Sequence, residues 1–272
     1  MSKTEIILDK CFLQGASQGA IEKMTESFQL LMPDVLFYEL ISSCEPGRSR
    51  CFSKFPNSPN PIPVTQHIGA LLNHEITAHQ PSGLPSENLV EVDYRFNPEL
   101  ATGEYEFSER DLQTCSEIEE ELKSDISALI QRVNSLEELF PNFHERVRKE
   151  QEPYVREIMN AVANDVSDLA TFLSQLELPG EKAMPPRESL NQNWAIFRWL
   201  QVQLLFAIDI ARRYGVLDIA KLTEKQQTSF EHDVLDSHYL ILGILQKSLA
   251  TKEKKLIHFF KLLCPDGTLV EK

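Results

Sequence analysis

The sequence predicts an α/β protein on a short parallel sheet, with a helical bundle inserted between the two halves of that sheet. Three observations predict it. Short apolar runs alternate with helix patterns over residues 4–43, long amphipathic helices fill the middle, and short strands and helices return near residue 248.

Glu5-Ile6-Ile7-Leu8 is a short apolar run ending at Asp9, as a buried strand does. Ser17 caps a helix over residues 18–28, with Ala20, Ile21, Met24 and Phe28 on one face. Leu30-Leu31-Met32 is the second strand, and Pro33 suits the start of a helix through Val35, Leu36, Leu40 and Ile41. Residues 44–103 are punctuated by Pro46, Pro56, Pro59, Pro61, Pro63, Pro81, Pro85 and Pro98. They read as an irregular connection, a candidate lid, with one short helix over 65–73.

Ser108 opens a long helix whose first turn carries Glu109 and Asp111, where the helix dipole favours acids. Leu112, Cys115, Ile118, Leu122, Ile126, Leu129 and Val133 hold its apolar face. A second helix runs from Val155 to Leu176 and breaks at Leu178-Pro179-Gly180. A third covers 190–214 and stops at Gly215. Thr228 or Ser229 then starts a helix to Gln246, and Ser248–Thr251 is a short strand. Residues 254–263 form an amphipathic helix, Pro265-Asp266-Gly267 a turn, and Thr268-Leu269-Val270 an edge strand. This divides the chain into a core (1–43 and 215–272), a Pro-rich connection (44–103) and a helical insertion (104–214).

Composition narrows the class. At 42% hydrophobic and 25% charged residues the chain is an ordinary globular sequence, and no apolar run approaches the ~20 residues of a membrane span. The N-terminus lacks the apolar region of a signal peptide. Cys11, Cys44, Cys51, Cys115 and Cys264 form no CxxC pair, which argues against a disulfide framework and a standard zinc site. These observations predict a cytoplasmic protein with no membrane contact. The net charge of −14 opposes nucleic-acid binding, but residues 104–188 hold 20 acids against 9 bases, net −11. The acidity is therefore concentrated in the inserted helices, whose acidic faces read as solvated surface, and alternatively as a surface for a protein partner or a screen against duplexes. The one basic cluster in the connection is Arg48, Arg50 and Lys54.

Functional residues of an open parallel sheet gather at the carboxyl ends of its strands. Asp9 ends the first strand and Glu253 lies just past the strand at 248–251. Glu39 sits among apolar neighbours, and Asp233 and Asp236 are three apart on one helix. Carboxylates brought together repel unless a cation sits among them, and oxygen-rich sites suit Mg2+ or Mn2+. Each acid also has a plain reading: Asp9 caps a turn, Glu39 sits at a surface edge, Asp233 and Asp236 belong to a polar patch, and Glu253 is a surface acid. The segment His74-Glu75-Ile76-Thr77-Ala78-His79 is one residue too long for a zincin motif, and its histidines do not share a helix face.

The order of these acids resembles the PIN domain, the metal-dependent nuclease fold related to flap endonucleases. "EIILD" at 5–9 matches its opening strand and aspartate, "PDVLFYEL" its next acid at Glu39, and "DVLDSHYLILGIL" its later acid at Asp236. "ATKEKKL" gives Thr251-Lys252-Glu253 for the family's Thr-x-Asp, and "CPDGTLV" is similar to the closing loop and strand. The resemblance covers residues 4–43 and 228–272. It implies a three-layer PIN-like core, with Asp9, Glu39, Asp236 and Glu253 as catalytic metal ligands. Asp233 becomes a further metal ligand and Thr251 a supporting hydroxyl. Two positions depart from the family: Lys10 stands where a small or apolar residue is usual, and Glu253 replaces the usual Asp.

The function this implies is a Mg2+- or Mn2+-dependent endonuclease that cleaves single-stranded RNA with metal-activated water, its backbone guided by Arg48 and Arg50. PIN-like domains often form homodimers. The alternative is a PIN-like binding or scaffold protein without catalysis. Carboxylates sharing one point favour the first; a Lys10 ammonium filling that point favours the second.

Overall fold

A computed structural model describes residues 3–56, 62–90, 98–150, 152–176, 178 and 182–271. The expected Pro59, Pro61, Pro179 and Gly180 breaks lie outside those residues. The protein is helix-rich with a small parallel sheet, the α/β class that the sequence predicts. Its chain divides into two compact units. One comprises Met1–Leu71, Ser82–Ser116 and Tyr239–Lys272, the other Leu72–Pro81 and Glu117–His238.

The first unit holds the sheet. Strand β1 (Thr4–Leu8) is followed by helices α1 (Lys10–Gly15) and α2 (Gln18–Ser27), strand β2 (Phe28–Leu31) and helix α3 (Asp34–Ile41). The short α1 escapes the sequence reading, which has Asp9 end a strand or cap a turn. Asp9 is its N-cap, accepting from the backbone N–H of Cys11. The cap of α2 is Ser17 as expected, its side chain accepting from the Ala20 N–H. Phe28 leaves the helix to open β2, where it pairs with Thr4.

Residues 44–103 are more structured than their prolines suggest. They carry α4 (Gly47–Phe52), α5 (Ile68–Ala78) and α6 (Glu99–Thr102). They also extend the sheet beyond β2: Met32 N–H donates to the Pro63 carbonyl, and Thr65 N–H to the Met32 carbonyl. Proline cannot donate, but its carbonyl still accepts, so Pro63 is compatible with this edge. These bonds explain why residues 44–71 group with the strands.

Helix α7 (Glu109–Asn134) begins in the first unit and continues into the second. There follow α8 (Leu136–Leu139), α9 (Phe143–Glu150), α10 (Glu152–Asn164), α11 (Val166–Ser174) and α12 (Ala195–Tyr214). The single helix expected over 155–176 is two, because Asp165 leaves the helical path and caps α11 through the Asp168 N–H. Helix α12 is the axis of the second unit. Almost every residue from Ala195 to Ala211 is buried, with α9, α10 and α11 packed on it. Its buried polar side chains are partnered, as burial requires: Arg198 donates to Gln201 Oε1 at 3.0 Å and Asp209 pairs with Arg213 at 3.1 Å.

Helix α13 (Glu224–Gln246) starts four residues before the expected Thr228. Thr223 and Gln226 bond reciprocally there, the Thr hydroxyl accepting from Gln226 N–H and the Gln carbonyl accepting from Thr223 N–H. The last part of α13 belongs to the first unit and leads to β3 (Ser248–Ala250), α14 (Lys254–Leu263) and β4 (Thr268–Val270). A Cβ at Gly243 would come within 3.2 Å of the Leu249 side chain, so glycine lets α13 lie close on β3.

All four strands are parallel in the order β2-β1-β3-β4. Ile6, Ile7, Leu8, Leu249 and Ala250 are fully buried, as strands covered on both faces must be. Ile7 pairs with Leu31 on one side and Leu249 on the other, so β1 and β3 are the inner strands and end side by side.

Candidate functional site

The carboxyl ends of β1 and β3 bring Asp9 and Thr251 together. Thr251 Oγ1 donates to Asp9 Oδ2 at 2.6 Å, while the Cys11 N–H donates to Asp9 Oδ1 at 3.3 Å. Thr251 in turn accepts the Glu253 N–H at 3.0 Å, which fixes the turn from β3 into α14. Residues 242 apart in sequence meet because the sheet is parallel and their strands are neighbours.

Glu39 projects from α3 and is 8% exposed. Tyr239, from the last part of α13, donates its hydroxyl to Glu39 Oε2 at 2.6 Å. Lys10 Nζ lies 3.1 Å from Glu39 Oε1 in an ion pair. Glu253 is the N-cap of α14, accepting the Lys255 N–H at 3.4 Å. Among the described residues neither Asp9 nor Glu253 has an ion pair.

These contacts set the electrostatics. Burial pushes the Asp9 carboxyl up from 3.8 to about 6. The Thr251 and Cys11 bonds oppose that rise, and the charges of Glu39 and Glu253 add to it. Asp9, 2% exposed, is thus a desolvated acid facing two like charges with neutral donors only.

Asp233 and Asp236 lie in the second unit. Asp233 is buried and its Oδ2 is 2.7 Å from Arg213, whose guanidinium also reaches Asp209 Oδ2 at 3.1 Å. That network gives Asp233 a role in the second unit's own packing. Asp236 is half-buried, one turn further along α13.

Neither family models, nor curated proteins, nor solved structures match the chain. Its site is therefore read from its own geometry. No helix among the described residues is long and apolar enough to cross a membrane. Nor do any three His, Cys, Asp or Glu side chains among them form a ready-made metal site. The donor chemistry of Asp9, Glu39, Glu253 and Thr251 nonetheless fits a hard divalent cation, being oxygen throughout. What stands on Glu39 is the Lys10 ammonium.

Two sequence features resolve into structural roles. Arg48 is 8% exposed, bonded to Glu45 at 2.8 Å and stacked 4.7 Å from the Phe107 ring centre, so its charge is taken up inside the fold. Arg50 remains exposed. Glu75, of the zincin-like segment, is fully buried and caps α12, accepting the N–H groups of Ala195 and Ile196 at 2.7 and 2.8 Å. Tyr239 is the partner that sequence reasoning missed. It occupies an apolar helical position, and the only signal was that a buried tyrosine hydroxyl needs an acceptor.

Proposed function

We propose that the chain is a PIN-like, divalent-metal-dependent endonuclease that cleaves single-stranded RNA with Mg2+ or Mn2+. The observation that carries this reading is Asp9, held by Thr251 at the end of an inner strand, where burial raises its pKa and the charges of Glu39 and Glu253 add to the rise. Desolvated acids among like charges are costly, and such arrangements cluster at functional sites. Asp9, Glu39 and Glu253 would hold the ion. Water activation and neutralisation of phosphodiester charge are the chemistry that Mg2+ or Mn2+ supplies when bound. The chain's own residues do the positioning: Thr251 fixes the Asp9 carboxylate and Tyr239 fixes Glu39. Five free cysteines suit the reducing cytoplasm as the compartment.

The test is cleavage of single-stranded RNA by wild type and Asp9→Asn, in Mg2+, in Mn2+ and in excess EDTA. Cleavage should need the metal and fall to background in the variant. Equal cutting in EDTA overturns the metal mechanism.

A second reading is favoured by the Lys10–Glu39 ion pair. In it the chain is a PIN-like binding module whose cluster takes its cation from Lys10. Such a protein binds RNA or a partner without cutting under any divalent ion.

A further inference from the structure

Lys10 is the first residue of α1, held there because its neighbour Asp9 caps the helix. Its ammonium lies on Glu39 Oε1, while Tyr239 occupies the other oxygen. Two differences between the partners matter. Glu39 is 8% exposed and pinned by the 2.6 Å tyrosine bond, whereas the Lys10 side chain is 23% exposed. A lysine stem is flexible and its strongly hydrated head gains water when it swings out. The pair is therefore hinged on the lysine side.

Charge points the same way. Three carboxylates surround this corner of the sheet, Glu39 and Glu253 both acting on Asp9, and among the described residues Lys10 is the one cation paired with any of them. The oxygen that Lys10 holds is the Glu39 oxygen left after Tyr239. A second cation at that oxygen would sit beside the ammonium and be repelled by it, so the two compete for Glu39.

We propose that Lys10 is an internal counter-cation that competes with divalent metal for Glu39, so that metal binds only when the lysine swings to solvent. This rests on the metal-binding part of the proposed function and adds its control. Apparent affinity falls in proportion to the fraction of molecules in the open arrangement. The wild-type chain is thus a weak metal binder whose occupancy rises with the free ion.

The experiment measures Mn2+ binding to the full chain by electron paramagnetic resonance, without RNA. Wild type is compared with Lys10→Met and with Lys10→Arg, which keeps the charge. Lys10→Met should bind Mn2+ about tenfold more tightly, the scale on which neighbours tune a metal site. Lys10→Arg should stay near wild type, and Asp9→Asn added to Lys10→Met should abolish the gain. If Lys10→Met does not fold, Lys10→Gln gives the same reading, since it keeps a donor for Glu39 and removes the charge. Equal binding by wild type and the uncharged variants overturns the competition while leaving the nuclease reading standing. No binding by any of them at millimolar Mn2+ overturns both.

Discussion

Thr251 and Asp9 share a 2.6 Å hydrogen bond between two side chains that are almost completely buried. It joins the ends of the two inner strands, and the same hydroxyl accepts the N–H that starts the turn into α14. Thr251→Val keeps the shape and removes both bonds. A hydrogen bond to a charged group that is lost in the interior costs about 2 kcal/mol, so urea unfolding should show a loss of that order. Thr251→Ser should recover most of it. If valine is as stable as threonine, the bond is not what holds Asp9.

The Asp9 carboxyl gives the fold a pH dependence. Its folded value, about 6, lies above the 3.8 of a free carboxyl, so the fold favours the protonated acid. Its contribution to stability is fully present below about pH 4 and is lost as pH rises through about 6. In EDTA, Asp9→Asn should therefore exceed wild type in stability at pH 8. The shift corresponds to on the order of 3 kcal/mol, and the gap should close below about pH 4. Denaturant midpoints at the two pH values read it. An asparagine variant less stable than wild type at pH 8 would show that charge repulsion and burial do not dominate at this position.

How much of this was legible depends on range. Asp9 and Glu253 stand out because strand ends are visible as apolar runs that stop, and a parallel sheet collects its strand ends. Glu39 stands out on its helix as an acid among apolar neighbours, and Thr251 enters only through the family resemblance. Helix α1 does not stand out. Cys11, Phe12 and Leu13 are consecutive and apolar, so six residues carry no helical period. The partners of Glu39 were hidden for another reason: Lys10 is 29 residues away and Tyr239 is 200 away, and neither spacing leaves a pattern. The β2 extension was missed because it is made by backbone groups of a proline-rich stretch, where side-chain periodicity is silent.

Glu75 is a prediction about what a motif is not. Its carboxylate meets the first two N–H groups of α12, donors that no residue of the helix itself can satisfy. Glu75→Ala should lower stability by about 2–4 kcal/mol, since two charge-assisted bonds are lost in a dry site. Thermal unfolding should be unaffected by a zinc chelator, because Glu75 is occupied and His79 bonds the Ala183 carbonyl at 3.1 Å. A chelator-sensitive midpoint would show a zinc site that neither the spacing nor these bonds predict.

Asp233 separates packing from metal binding. It is paired with Arg213, which keeps Asp209 as a second partner, so Asp233→Asn leaves the guanidinium half-compensated rather than stranded. Arg213 is 29% exposed, and water screens what remains. The loss should be about 1–3 kcal/mol, below that of a wholly buried pair. Arg213→Ala and the double variant complete a cycle that isolates the pair, and the two single losses should sum to more than the double loss. The deciding comparison is the same cycle in EDTA and in Mg2+. A structural pair gives the same coupling in both. A coupling that changes when Mg2+ is added would make Asp233 a metal ligand and return it to the carboxylate set expected from the sequence.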